Sequence, residues 1–220
     1  MITRTDQLHG LYVITPEHHP DPGWLEGKAD EALRGGARLV QYRDKSGDWR
    51  RREREAGELR ALCTRHGALL IVNDDVELAL ATGAHGVHLG QGDMPLDEAR
   101  GKLGDRAIIG ITCHDRLDLA IAAQLGGADY VAFGAVYPSP TKPAAVCTPL
   151  ALIAQARESL DIPICAIGGI SADNARAVIR AGADMAAVID GIFGQPDPEA
   201  AARRIAALYE SARDKTDEAG

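Results

Sequence analysis

The sequence predicts an α/β fold, a single (β/α)8 TIM barrel with parallel strands, and three observations support this prediction. The chain has 220 residues, 45% of them hydrophobic, which is enough for one sizeable core and common for single barrels. Short apolar runs alternate with segments of helical periodicity along the chain. A Gly-Ala pair recurs about every two strand-helix units. Together these patterns favour a closed barrel over a doubly wound open sheet, the alternative.

Eight apolar runs have the length of strands. They are rich in Val and Ile, and most are continuously apolar, which is typical of parallel strands buried on both faces. In chain order they are LYVIT, RLVQY, LLIVN, GVHLG, AIIGIT, YVAFGAV, PICAIGG and MAAVI. The segments between them, such as REREAGELRALCTRH, DRLDLAIAAQLGG, PLALIAQARESL and ADNARAVIRAG, are amphipathic and predict helices.

The Gly-Ala pairs precede the second, fourth, sixth and eighth predicted strands. A glycine at this place can take the left-handed conformation that ends a helix. The pairs therefore suggest four βαβα modules, with a chance repeat of a common dipeptide as the alternative. No linker or second domain is visible, so residues 1–220 are predicted to form one domain with a polar C-terminal tail from about residue 214.

Composition argues against several partners. The formal net charge is -8, which is unfavourable for binding nucleic acid or an anionic membrane surface. No apolar run approaches the ~20 residues of a membrane-spanning helix, and the N-terminus lacks the apolar segment of a secretory leader. The four cysteines show no CxxC spacing, so free thiols in the cytoplasm are expected. The oligomeric state is left open, a homo-oligomer included.

The second predicted strand ends in QYRDK, residues 41–45. In an extended backbone Gln41, Arg43 and Lys45 share one face, and the strand register directs this face toward the barrel axis. An unpaired charge there is costly, and phosphate oxygens would be suitable partners for the two cations. Residues 51–55, RRERE, are instead interpreted as a solvated charge run.

Carboxylates follow the third and fourth predicted strands. Asn73, Asp74 and Asp75 end the third strand, and Asp93 follows the fourth. Because neighbouring parallel strands bring their ends together, Asp74 and Asp93 are expected to hold one Mg²⁺ with water and phosphate oxygens. For Asp75, capping of the next helix is as strong an alternative.

Loops after the sixth, seventh and eighth strands predict a second anion site. The loop PSPTK offers the hydroxyls of Ser139 and Thr141 to this site in a stretch stiffened by proline, whereas its cation, Lys142, is expected at the first site beside the Mg²⁺. After the seventh strand, IGGIS brings bare backbone to a helix start, and residues 189–191 are comparable. This arrangement predicts two phosphorylated small-molecule substrates, one of them a diphosphate that leaves with metal assistance.

No pair of nucleophile and general base is evident. Cys113 and His114 are adjacent on a predicted strand and would point to opposite faces, so a structural thiol is expected. Charge stabilisation by Arg43, Lys45 and Lys142 is therefore the expected source of catalysis.

Six motifs together resemble the thiamine phosphate synthase (thiamine-phosphate pyrophosphorylase) family: QYRDK, VNDD, GVHLGQGDMP, GITCH, VAFGAVYPSPTK and AIGGI, in this order over residues 11 to about 194. The resemblance implies a transferase on a (β/α)8 barrel with Mg²⁺. It would condense 4-amino-2-methyl-5-hydroxymethylpyrimidine diphosphate with 4-methyl-5-(2-hydroxyethyl)thiazole phosphate, giving thiamine phosphate and pyrophosphate. The implied mechanism is dissociative: pyrophosphate leaves, a pyrimidine methyl cation forms, and the thiazole nitrogen attacks it.

The resemblance also implies roles by motif. Contacts to the pyrimidine diphosphate fall on Gln41, Tyr42, Arg43, Asp44, Lys45, Asn73, Thr112 and Lys142. Contacts to the thiazole phosphate fall on Ser139, Pro140, Thr141, Gly169, Ile189 and Asp190, and the metal falls on Asp74 and Asp93. Asp190 stands where Ser is expected, and because a carboxylate repels phosphate its contact is assigned to the main chain.

Two rival functions remain. A thiazole tautomerase on the same barrel would need a general acid-base group such as His88 or His114, but no diphosphate cradle. A non-catalytic ligand-binding regulator would be expected to have lost a metal ligand or Arg43. The intact QYRDK, acid pair and PSPTK favour the transferase.

Overall fold

The structure is a computed structural model, and it describes residues 7–138 and 147–217. Within these ranges eight strands alternate with helices. The strands are β1 (Gly10–Ile14), β2 (Leu39–Tyr42), β3 (Leu69–Asn73), β4 (Gly86–Leu89), β5 (Ile108–His114), β6 (Tyr130–Gly134), β7 (Ile164–Ile167) and β8 (Met185–Val188). The helices are α1 (Pro22–Arg34), α2 (Trp49–His66), α3 (Val76–Thr82), α4 (Leu96–Leu103), α5 (Leu117–Leu125), α6 (Leu150–Ser159), α7 (Ala175–Arg180), α8 (Asp190–Phe193) and α9 (Pro198–Asp217).

The strands form one closed barrel. Each strand pairs in parallel with its sequence neighbours, and β8 pairs with β1. The predicted (β/α)8 fold is therefore confirmed, and the open sheet is excluded. The carboxyl ends of all eight strands meet at one rim, where chemistry is expected in this fold. Across the described part of the chain, none of the helices combines the length and apolar character needed to cross a membrane.

The apolar core has two layers. One cluster fills the barrel and includes Tyr12, Leu39 and Ile71. A larger cluster lies between the strands and the helices and includes Val40. Because successive strand residues face opposite ways, Leu39 inside and Val40 outside direct the next residue, Gln41, into the barrel. The predicted register of β2 is confirmed.

The Gly-Ala repeat has a structural basis at the amino ends of the strands. All four glycines have positive φ: Gly36 (100°), Gly83 (62°), Gly127 (87°) and Gly182 (98°). In three of the four copies, the residue after the alanine accepts a hydrogen bond from the preceding strand: Leu70 N–H to His85 Nδ1, Ile109 N–H to Asp129 Oδ2 and Ile164 N–H to Asp184 Oδ2. The repeat thus both ends helices and ties neighbouring strands together.

Two helix ends differ from the predictions. α2 begins at Trp49, three residues before the predicted start, because Asp48 caps it by accepting a hydrogen bond from the Arg51 N–H (3.0 Å). α9 continues to Asp217, past the predicted start of a polar tail near residue 214.

Gly86 on β4 provides a test of barrel packing. A Cβ there would lie 1.9 Å from the carbonyl oxygen of Ile108 on β5. Because backbone cannot yield as a flexible side chain can, Gly86→Ala is expected to lower the free energy of unfolding by about 3 kcal/mol. Gly57 inside α2 has open space around it, so Gly57→Ala should raise the same quantity by about 1 kcal/mol. Urea denaturation measures both, and effects of equal sign would contradict the packing argument.

Candidate active site

A cavity of about 810 Å³ opens at the carboxyl ends of the strands. Its volume is within the range of sites for small organic ligands. Many residues selected from the sequence line it: Gln41, Arg43, Lys45, Asn73, Asp74, Asp93, Thr112, Gly169, Ile189 and Asp190. The structure therefore brings these residues together from six different strand ends.

The odd-numbered residues of QYRDK lie on the cavity side. Gln41 is 2% exposed, and its Nε2 donates to the Tyr12 hydroxyl (2.7 Å). Arg43 Nη1 donates to Glu17 Oε2 (2.8 Å), in the loop between β1 and α1. Lys45 Nζ is 3.5 Å from Asp74 Oδ2. Two cations thus stand at the rim, each beside one carboxylate.

The even-numbered residues of QYRDK face α2. The Tyr42 hydroxyl donates to Glu55 Oε2 (2.8 Å). Asp44 accepts hydrogen bonds from Arg51 and from the Ser46 N–H (2.6 Å). The side chains of Tyr42 and Asp44, which the resemblance assigned to the diphosphate, are therefore engaged on the opposite side of the strand from Gln41. They support the segment that carries Arg43 and Lys45.

The prediction of a solvated charge run at RRERE is wrong for three of its residues. Glu55 is only 1% exposed, and Arg51 is paired with Asp44. The side chain of Arg52 is 15% exposed and also forms an ion pair. Arg51 Nε also lies 3.8 Å from Glu55 Oε1, and His19 Nε2 lies 3.5 Å from Glu55 Oε2. The sequence signal for this cluster is the i,i+4 spacing of Arg51 and Glu55, which places both on one face of α2.

Asp44 predicts a specific acid sensitivity. Burial alone would raise its pKa, but the hydrogen bonds from Arg51 and Ser46 outweigh burial and lower the pKa from 3.8 to about 2. Since the folded-state pKa is the lower one, Asp44 stabilises the fold above about pH 4, and this contribution is lost as pH falls toward 2. The shift corresponds to about 2 kcal/mol at neutral pH.

Asp44→Asn is therefore expected to lower the free energy of unfolding at pH 7 and to flatten its decline between about pH 4 and pH 2. Urea unfolding at a series of pH values measures this decline. The exposed Asp161 provides the control, because Asp161→Asn should leave the decline as in the parent protein. An undiminished decline in Asp44→Asn would contradict the assignment.

Asp74 and Asp93 converge after β3 and β4. Burial raises the pKa of Asp74, the neighbouring Asp93 carboxylate raises it further, and Lys45 opposes them. Asp74 has φ 63°, a conformation unusual for a residue other than glycine and frequent at functional sites. Asp93 Oδ2 accepts from the Gly90 N–H (2.6 Å), which fixes its carboxylate.

Asp75 has the capping role that was the alternative for it. Its Oδ1 accepts from the Leu78 N–H (2.9 Å) at the start of α3, and its Oδ2 accepts from Arg52 (2.9 Å). Asp74 alone of the two adjacent carboxylates therefore stands beside Asp93.

The acid pair fits a magnesium ion shared with a ligand. Within residues 7–138 and 147–217, no group of three or more His, Cys, Asp or Glu side chains could hold a metal by itself. Mg²⁺ usually keeps several waters and binds one or two carboxylates plus substrate phosphates. The repulsion that raises the pKa of Asp74 is relieved by a dication. The donor set of Asp74 and Asp93 therefore suits Mg²⁺ completed by phosphate oxygens.

The opposite wall of the cavity is largely backbone. Gly169 has φ 60°, and a Cβ on it would lie 2.3 Å from the Pro138 carbonyl oxygen. A Cβ on Gly191 would lie 2.5 Å from the Ile170 carbonyl oxygen. Only glycine fits at these points, because two backbone segments lie close together there, and both glycines line the cavity. The remaining predicted residues of this wall, Ser139, Pro140, Thr141 and Lys142, lie outside the described residues.

Several polar side chains of the cavity have no clear sequence signal. Tyr12 and His88 line it and are buried, although Tyr12 stands in an ordinary apolar strand pattern. Thr148 also lines it, is 1% exposed, and has a hydroxyl without a hydrogen-bond partner among the described residues. For Tyr12 the available indication is a general one, that a tyrosine buried inside a barrel needs a hydrogen-bond partner for its hydroxyl.

Cys113 and His114 point to opposite faces, as predicted. Cys113 is fully buried, and burial raises the pKa of its thiol to about 12. His114 lines the cavity and is exposed. A thiolate nucleophile at Cys113 is thus disfavoured. All four cysteines are free, which confirms the expectation from their spacing.

Comparison with known proteins adds to this geometry. A family model described as thiamine monophosphate synthase matches residues 11–192. A thiamine-phosphate synthase of Thioalkalivibrio sulfidiphilus is 68% identical over 205 residues, which cover 93% of this chain and 97% of that protein. A thiamine-phosphate synthase of Halorhodospira halophila is 50% identical over 213 residues, covering 97% and 100%. The solved structure of thiamine phosphate pyrophosphorylase from Pyrococcus furiosus has a TM-score of 0.85 at 36% identity, covering 95% of this chain and 98% of that chain.

Proposed function

The chain belongs to the thiamine-phosphate synthase family of enzymes, and from this premise we propose that it joins a pyrimidine diphosphate to a thiazole phosphate over the barrel mouth. The observation that carries the proposal is the meeting of Arg43, Lys45 and the acid pair Asp74 and Asp93 at one side of a single cavity. The glycine-lined wall opposite suits the second phosphate, since bare N–H groups favour anions.

Diphosphate departure is the step that the rim residues assist. Arg43 and Lys45 are placed to receive the negative charge that develops on the leaving group, in a partly enclosed site where such interactions are strong. Mg²⁺ bound by Asp74 and Asp93 would supply further charge neutralisation. Gln41, at the cavity floor, would orient the pyrimidine. The roles of Lys142, Ser139, Pro140 and Thr141 stay predictions.

The dissociative mechanism depends more on positioning of the two substrates than on proton transfer by the protein. Departure of pyrophosphate breaks one C–O bond, and attack of the thiazole nitrogen on the pyrimidine methyl cation forms one C–N bond. Neither event needs a protein base, which agrees with the inert thiol of Cys113. Holding both substrates in one cavity converts their encounter into an intramolecular event.

The tautomerase alternative is less well supported. Burial lowers the pKa of His88 to about 4, and both of its ring nitrogens already have hydrogen-bond partners. A general acid-base group works best with a pKa near the working pH, so His88 is poorly suited. A non-catalytic regulator is disfavoured because Arg43, Asp74 and Asp93 are all present and lie at one cavity.

An omission assay tests the proposed function. The purified protein, given both phosphorylated substrates and Mg²⁺, is expected to form thiamine phosphate and pyrophosphate in equal amounts. Omitting either substrate, or removing Mg²⁺ with a chelator, should stop product formation, and added Mg²⁺ should restore it. Isomerisation of thiazole phosphate alone, with no pyrophosphate released, would instead support the tautomerase.

The setting of the enzyme is part of the proposal. The four free thiols support a reducing location, the cytoplasm. The partners proposed are the two small phosphorylated substrates, without nucleic acid or membrane. Light scattering after size-exclusion chromatography would test for a homo-oligomer.

A further inference from the structure

A continuous chain of hydrogen-bonded side chains crosses the barrel along the floor of the cavity. The links are Gln41 Nε2 to Tyr12 Oη (2.7 Å), Tyr12 Oη to Tyr130 Oη (3.0 Å), Tyr130 Oη to His88 Nδ1 (2.9 Å) and His88 Nε2 to Thr112 Oγ1 (2.8 Å). The two ends, Gln41 on β2 and Thr112 on β5, both line the cavity. We call these five residues the floor chain.

The middle of the floor chain is closely fitted to the barrel. The Tyr130 ring meets Tyr12 edge-on, with centroids 6.2 Å apart, and stacks on His88 at 5.5 Å. A Cβ on Gly110 of β5 would lie 2.0 Å from the Tyr130 ring, so the glycine makes the space that the ring occupies. Tyr12 and Tyr130 are almost fully buried, and buried hydroxyls without partners would be costly.

The floor chain has a direction. With Gln41 Nε2 as donor, the Tyr12 hydroxyl is free to donate only to Tyr130, because a hydroxyl carries one proton. Tyr130 then donates to His88 Nδ1. Because Nδ1 accepts this hydrogen bond, it carries no proton and the ring is the neutral imidazole. A neutral imidazole that accepts at Nδ1 carries its proton at Nε2.

The direction determines what the cavity offers at each end. His88 Nε2 donates to Thr112, so the Thr112 hydroxyl proton remains available to an acceptor on a ligand. At the other end, the Nε2 group of Gln41 is engaged with Tyr12, so its Oε1 remains available to a ligand donor. If every hydrogen bond of the floor chain pointed the other way, Gln41 would offer a donor to the ligand and Thr112 would offer an acceptor.

We propose that Tyr12, Tyr130 and His88 are positioning residues that set the donor and acceptor pattern which Gln41 and Thr112 present to the pyrimidine diphosphate. The inference rests on the proposed function for the identity of the ligand. In this pattern a ligand amino group fits the Gln41 carbonyl oxygen, and a ligand acceptor, a ring nitrogen or a phosphate oxygen, fits the Thr112 hydroxyl.

Removing single hydroxyl groups tests the coupling. Tyr130→Phe keeps the ring and breaks the floor chain in its middle, and Tyr12→Phe breaks it one link earlier. Each is expected to lower kcat/KM for the pyrimidine diphosphate about tenfold and to leave the KM of the thiazole phosphate unchanged. One break already interrupts the floor chain. The kcat/KM of the double variant should therefore be no lower than that of the less active single variant.

Tyr209→Phe is the matched control. Tyr209 is also buried, but its hydroxyl has no hydrogen-bond partner in the described part of the chain and lies outside the floor chain. This variant should keep the parent kinetics. Effects of Tyr12→Phe and Tyr130→Phe that multiply in the double variant, or that raise both KM values alike, would overturn the proposal, because purely structural damage predicts them.

A spectroscopic readout separates this inference from the proposed function. In ¹⁵N-histidine-labelled protein without substrates, His88 is expected to carry its proton at Nε2 and to accept a hydrogen bond at Nδ1. His88→Asn identifies the signal. In Tyr130→Phe the Nδ1 resonance should move toward that of a free imidazole nitrogen, whereas in Tyr209→Phe it should stay. A proton at Nδ1 in the parent protein, or an unmoved resonance in Tyr130→Phe, would overturn the floor chain whether or not thiamine phosphate forms.

Discussion

Asp74→Asn is expected to lower turnover by at least about 10³-fold while leaving the metal-free protein as stable as its parent, or more stable. The loss follows because one of two carboxylates proposed for Mg²⁺ would be neutral. The gain follows because burial and the Asp93 carboxylate raise the pKa of Asp74, so the ionised form is unfavourable in the folded protein. Opposite signs for activity and stability are typical of a residue kept for function.

The measurement combines two titrations. Turnover at increasing Mg²⁺ concentration should show a higher metal requirement in Asp74→Asn and in Asp93→Asn, and thermal unfolding without metal should show no loss of stability in Asp74→Asn. An amide oxygen at position 93 can still accept the Gly90 N–H, which preserves the loop.

Asp75→Asn is the control for this pair of variants. It removes a carboxylate at the next residue, yet keeps an oxygen for the Leu78 N–H that caps α3. It should keep turnover within about tenfold of the parent, because only its ion pair with Arg52 is lost. Parent-like turnover in Asp74→Asn, or an equal loss in Asp75→Asn, would remove the metal assignment.

The fold could be predicted because parallel barrel strands produce a clear hydrophobic pattern in the sequence. Strands buried on both faces give continuous apolar runs, and the alternation with amphipathic helices leaves few topologies. The helix ends were less predictable, since the start of α2 depends on the cap at Asp48 and not on hydrophobic periodicity.

The cavity side of the site could be predicted for the same reason. Strand ends meet at one rim, so the sequence predicts that polar residues such as Arg43, Asp74 and Asp93 lie close together. The strand period of two predicts that Gln41, Arg43 and Lys45 share one face, and the structure agrees, since all three line the cavity while Tyr42 faces α2.

The supporting groups could not be predicted in this way. Glu55 looks like one charge in a solvated run, and only its packing against Tyr42 shows that it is buried. The contact between Tyr130 and His88 joins β6 to β4 across the barrel interior. Such contacts depend on ring positions and on space made by Gly110, which hydropathy does not register.

Arg43→Ala is expected to lower kcat/KM for the pyrimidine diphosphate by about 10²-fold, with little change in the KM of the thiazole phosphate. The guanidinium is less exposed than Lys45 and points into the cavity rim, where its planar fork suits two phosphate oxygens. Arg43→Lys keeps the charge without the fork and should recover only part of the loss. Arg54→Ala removes a cation from the exposed face of α2 and should have no effect.

Substitution of Glu17, the ion-pair partner of Arg43, is expected to have the opposite effect on binding of the diphosphate. Its carboxylate holds Arg43 at 2.8 Å in the ligand-free protein and must give way, at least in part, to the diphosphate. Glu17 is 35% exposed, so the pair is worth about 1 kcal/mol or less, and Glu17→Gln should lower the KM of the diphosphate by up to about fivefold. In the Arg43→Ala background the same change should bring no gain, because its effect passes through the guanidinium. A gain that persists without Arg43 would show that Glu17 repels the substrate directly, and equal loss for both substrates in Arg43→Ala would place Arg43 outside the diphosphate site.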